Sequence, residues 1–242
     1  MTSINPKLIE VLSKIFKPGS DYGLYITTSS YSINVVVIAP KYMYAGNSDY
    51  IRINCLDELD NPIMQKIMTR TFESNEGLEF IDYEFDEPYL LDLISCMPNL
   101  TYLKYKSEIW FNKEIPNIKV VDFTNLDWCL INRAAKIFTD ARDIIMSAPC
   151  AEIIYYCNFE GYKSLKTVHI TEISDGYLIK RYYLLESIKD WKSKPKVDKL
   201  YVENDACEYS LNDWRSLVGH MFNEIEVEPR LINAPDKLNC QA

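Results

Sequence analysis

The chain has 242 residues, 48% of them apolar and 13% aromatic, and a formal net charge of −9. That is enough apolar material for a sizeable core, and with mixed charge it excludes a disordered chain. The acidic balance excludes nucleic-acid binding through a broad basic face, and the longest apolar run, Val35 to Ala39, is too short for a membrane-crossing helix.

The first residues have neither a basic start nor an apolar stretch, so no secretory signal is expected. The expected location is cytoplasmic, with the nucleus as the alternative. The seven cysteines, Cys55, Cys96, Cys129, Cys150, Cys157, Cys207 and Cys240, are odd in number and form no C-x-x-C pair. They read as reduced, inert thiols.

The first helix begins at Asn5, a capping residue, with Pro6 at the first helical position. Leu8, Leu12, Ile15 and Phe16 share one face, and Pro18-Gly19 ends the helix. Tyr22 to Thr28 and Ser32 to Ala39 are rich in β-branched and aromatic residues, with serines and threonines between them, so a hairpin is expected. Residues 1–47 read as an N-terminal capping region and 48–242 as a repeat array.

In the array a six-residue pattern recurs: apolar, two variable, apolar, one variable, apolar. It occurs as Leu78/Ile81/Tyr83, Leu100/Leu103/Tyr105, Ile118/Val121/Phe123, Leu165/Val168/Ile170, Val197/Leu200/Val202 and Phe222/Ile225/Val227. Ala141/Ile144/Met146 is a weaker copy and Ser48/Ile51/Ile53 a frayed one. The spacing averages about 25 residues, within the range of a strand-and-helix repeat. Helix starts are expected between the strands near Pro62 and Pro88, at Asp127, and at Ser210, where Asp213 completes a capping-box-like pair. Arg181 to Trp191 carries an apolar stripe, and Cys150 to Phe159 fits either a strand or the descending side of a repeat.

A doubly wound nucleotide-binding sheet fits less well. Only seven glycines are present, and none forms a phosphate-binding loop after a strand. Polar residues also interleave the strands, predicting one face against helices and the other facing water. The expected fold class is therefore α/β: an irregular solenoid with a one-sided parallel sheet backed by helices.

The segments Asn99 to Tyr105, Asn117 to Phe123 and Ser164 to Ile170 resemble leucine-rich repeats. The regular asparagine ladder is absent, since its positions hold Asp86, Glu108, Leu126, Pro149, Ile173, Asp205 and Arg230. The chain is thus most similar to the irregular repeats of F-box substrate receptors of ubiquitin ligases. Asn5 to Phe16 resembles the opening helix of an F-box, and Val37 to Ala45 echoes its later helix. That resemblance implies adaptor docking through Leu8, Leu12, Ile15 and Phe16; the alternative is an amphipathic helix capping the array.

The expected function is a non-catalytic protein–protein interaction module binding a protein partner on its concave sheet face. The alternatives are an F-box-type ubiquitin-ligase receptor and an enzyme in an atypical α/β fold. The candidate partner-binding residues are Phe80, Asp82, Tyr102, Lys104, Asp122, His169, Lys199 and Tyr201. Neither histidine, His169 or His220, lies in a catalytic or zinc motif, and no cofactor or metal site is expected. Lys189, Lys192, Lys194, Lys196 and Lys199 read as a solvated stretch or as a contact for an acidic partner.

Overall fold

The computed structural model describes residues 3–17, 20–29, 32–43, 49–53, 58–81, 87–104, 113–124, 131, 134–148, 159–173, 196–203 and 211–228. Helix α1 (Pro6–Ile15) starts as expected: the Asn5 carboxamide oxygen accepts from the Leu8 N–H at 3.2 Å, and Pro6 takes the first turn. Its face of Leu8, Val11, Leu12 and Ile15 is buried. The Asn5 N–H donates to Thr69 Oγ1 at 3.0 Å, tying this helix start to α2 (Pro62–Ser74). Helix α2 repeats the device, with Asn61 accepting from the Ile63 N–H behind Pro62. Helices α3 (Glu87–Ser95) and α4 (Leu211–Val218) follow later in the chain.

The hairpin is present: β1 (Tyr22–Thr28) pairs antiparallel with β2 (Asn34–Pro40). Strand β3 (Ile51–Ile53) pairs antiparallel with β1 on its other side. Seven further strands follow: β4 (Gly77–Phe80), β5 (Tyr102–Lys104), β6 (Val120–Phe123), β7 (Asp143–Ala148), β8 (Thr167–Ile173), β9 (Val197–Val202) and β10 (Phe222–Val227). The sheet order is β10-β9-β8-β7-β6-β5-β4-β2-β1-β3. From β5 to β10 every strand is parallel to, and beside, its predecessor in the chain, and β4 joins β2 in parallel.

The molecule is therefore an α/β protein built on one ten-stranded, mostly parallel sheet. Leu78, Leu103, Val121, Ile144, Val168, Leu200 and Ile225 align across seven strands, all buried toward the main core. Leu8 and Leu12 of α1, Met68 and Phe72 of α2, and Leu90 and Leu93 of α3 belong to the same core. In α4, Trp214 is fully buried there. No described helix is long and apolar enough to cross a membrane.

Four expectations change. Ile51 and Ile53, the frayed repeat copy, do not join the parallel run but form its antiparallel margin. Val37 to Pro40, the echo of a later F-box helix, is strand, because a β-branched run favours an extended chain. In β4 the register slides by three: Leu78, not Ile81, aligns with Leu103, and Asn75 takes the leading apolar position. At that buried position the Asn75 Nδ2 donates to the Thr71 carbonyl at 2.5 Å, while its Oδ1 has no hydrogen-bond partner among the described residues.

The fourth change concerns the second face of the sheet, which is not uniformly wet. Tyr25, Val35, Val37, Ala39, Tyr102, Val120 and Ile145 form a second buried cluster on the face away from the main core. The unbroken run Val35 to Ala39 carries that signal, since strands covered on both faces lose their polar alternation. In the segment expected as a helix from Trp128 to Phe138, Ile131 and Ala134 are helical and residues 135–137 form a turn; Arg181 to Trp191, and Cys150 to Phe159 except Phe159, lie outside the described residues.

Candidate partner-binding face

On the second face, residues in register form a row: Val37, Glu79, Lys104, Asp122, Ile145, His169, Tyr201 and Glu226. A neighbouring row runs Gly77, Tyr102, Val120, Asp143, Thr167, Lys199 and Glu224. Five of the eight expected binding residues therefore share this face as partly or fully sheltered polar groups: Lys104, Asp122, His169, Lys199 and Tyr201.

The other three differ. Tyr102 faces the same way but is 5% exposed, packed in the second apolar cluster. Phe80 is 3% exposed and belongs to the main core, a consequence of the slid register. Asp82 lies outside the described residues. The expected adaptor-docking residues Leu8, Leu12, Ile15 and Phe16 are buried in the main core.

The face has two ends of different character. At the β4–β6 end a lysine sits between two carboxylates. Lys104 Nζ is 3.1 Å from Glu79 Oε1 and 3.7 Å from Asp122 Oδ2. The Tyr102 hydroxyl donates to Asp122 Oδ2 at 3.0 Å. The Thr124 N–H and hydroxyl both donate to Asp122 Oδ1, at 2.9 and 2.6 Å. The Ser147 hydroxyl continues the chain to the Thr124 carbonyl on the next strand. Burial pushes the Glu79 carboxyl above its ordinary value, although Lys104 pulls it down. Burial acts to lower Lys104, but Glu79 and Asp122 together hold its ammonium above the usual lysine value. Through these contacts the network ties β4, β5 and β6 together by side chains as well as backbone.

Toward β8–β10 the face opens. His169 and Tyr201 meet edge-to-face with ring centroids 4.6 Å apart, and His169 Nε2 lies 3.0 Å from Glu203 Oε1. Lys199 pairs with Glu226. Burial raises the Tyr201 phenol, and Glu228, Glu203 and Glu226 add to that by disfavouring a second anion among them. Glu224, Glu226 and Glu228 are exposed along β10. A β-bulge between β7 and β8 shifts the register after Met146, next to this patch.

The partners Glu79, Glu203 and Glu226 were the less obvious members of the face. Glu203 and Glu226 follow from alternation with Tyr201 and Glu224, whereas Glu79 is legible only once the start of β4 is known, because an odd-numbered slip moves a side chain to the other face. His220 stands in the turn between α4 and β10, away from the row that holds His169. Cys96 is buried, and burial pushes its thiol up, consistent with an inert sulfur. Among the described residues no three His, Cys, Asp or Glu side chains converge as metal ligands. Compared with known proteins, the chain matches no family model, no curated protein and no solved structure.

Proposed function

We propose that this chain is an irregular, leucine-rich-repeat-like solenoid that acts as a non-catalytic protein-interaction module. The carrying observation is the run of seven strands, parallel and in chain order, at steps of about 25 residues. Such an array presents aligned rows of side chains, and here the rows end in an exposed polar and aromatic patch. The partner-binding surface is the β8–β10 end: His169, Lys199, Tyr201, Glu203, Glu226 and Glu228. Tyr201 is its aromatic anchor, half-exposed among charged neighbours. Lys104 with Glu79 and Lys199 with Glu226 are paired across neighbouring strands, which supports recognition over chemistry.

The burial of α1 supports its role as a cap over the main core and weighs against adaptor docking. Affinity capture compares wild type with the Tyr201→Ala/Lys199→Ala variant, followed by direct titration of any purified protein whose capture differs. Loss of a specific partner in the variant supports the reading. Identical capture by both proteins removes this end of the sheet as the site.

A further inference from the structure

Three cations occupy one structural position on three successive strands. Lys119, Arg142 and Lys166 immediately precede β6, β7 and β8. The Arg142 N–H donates to the Lys119 carbonyl at 2.8 Å, and the Lys166 N–H to the Arg142 carbonyl at 2.7 Å, so the three are lateral neighbours. Neighbouring strands lie about 5 Å apart, and like charges stacked that way work against the sheet.

Carboxylates within the chain offset only part of this charge. Asp140 Oδ2 lies 3.4 Å from Lys119 Nζ and also feels the Arg142 charge, and Asp198 directly precedes Lys199, whose N–H donates to the Lys166 carbonyl. Lys163, in the turn leading into β8, and Lys196, directly before β9, add two more exposed cations. Their local excess over carboxylates runs opposite to the net charge of −9 on the whole chain. The sequence hides this arrangement because the members are one repeat apart, whereas the lysine run from 189 to 199 is conspicuous. Of that run, Lys199 is paired with Glu226 and Lys196 donates to the Gly219 carbonyl.

We propose that this basic rim, at the N-terminal ends of β6–β8, docks an acidic segment of a partner protein. Three aligned cations span about 10 Å, which suits a few carboxylates of a peptide. The surrounding negative charge repels a long polyanion such as nucleic acid. The site is separate from the patch around Tyr201 and stands or falls without it.

The test measures fluorescence anisotropy of a labelled oligoglutamate peptide at low salt. It compares wild type, Arg142→Gln/Lys166→Gln, and the remote control Lys17→Gln/Lys66→Gln, with circular dichroism confirming that each is folded. The expected result is saturable wild-type binding, about tenfold weaker in the rim variant and nearly unchanged in the control. No wild-type binding, or equal weakening in both variants, overturns the proposal. So does tighter binding of a single-stranded oligonucleotide that the same rim variant abolishes.

Discussion

Lys104 shows how a charged residue earns a sheltered position. With Glu79 on one side and Asp122 on the other, it links β4, β5 and β6 through side chains as well as backbone. Lys104→Met leaves two sheltered carboxylates facing each other without a cation. It is expected to lower stability by about 2–3 kcal/mol, with about half regained by adding Glu79→Gln. Denaturant titration of the single and double variants measures this, and additive losses would show that the two residues do not interact. Glu79 also predicts a pH dependence. Its raised carboxyl favours the folded state when protonated, so the contribution is complete below pH 4.5 and lost as pH climbs through the folded-state value. Wild type should therefore lose stability relative to Glu79→Gln across the window just above pH 4.5. Parallel stability curves for the two proteins would contradict that environment for Glu79. Lys104, raised in the same sense, keeps its contribution through neutrality and loses it only above pH 10.5.

Among the elements, β4 is the one whose register the sequence concealed. The apolar pattern favours Ile81 in the middle, since Leu78 there puts the polar Asn75 in the leading position. What decides is Gly77: a Cβ there would lie 2.6 Å from Val35 Cγ2 and 3.2 Å from Tyr102 Cδ1. The glycine lets Val35 and Tyr102 close over β4 from its two sides, which pins the strand start. Gly77→Ala is expected to cost about 1–3 kcal/mol through that overpacking. Thermal unfolding checks it, and an unchanged midpoint would mean that the second apolar cluster yields freely. By contrast α1, α2, the hairpin and the strands from β5 onward were legible, because caps, prolines and apolar period agree locally at each. Phe80 was misplaced for the reason that β4 was. The coverage of the second face was missed because its apolar residues come from strands distant in sequence, Tyr25 and Val37 at one extreme and Ile145 at the other.

At the scale of the whole molecule, the sheet is buried on both faces from β2 to β7 and on one face beyond β8. Stability in a stack of this kind is a sum over neighbours, so it should decline toward the less covered end. Amide hydrogen exchange is expected to be slowest in β5–β7 and faster in β9 and β10. A profile that is uniform, or slowest in β10, would contradict a stack stabilised mainly by nearest-neighbour contacts.

The sheet's two outermost described strands differ in another way. Strand β3 offers only three residues, and β10 carries Glu224 and Glu226 on alternate positions, with Glu228 directly after it. An unfamiliar strand seeking to extend the ladder would find a stub at one margin and a line of repelling carboxylates at the other. Edge-to-edge addition of a further strand is thus disfavoured at both margins of the described sheet.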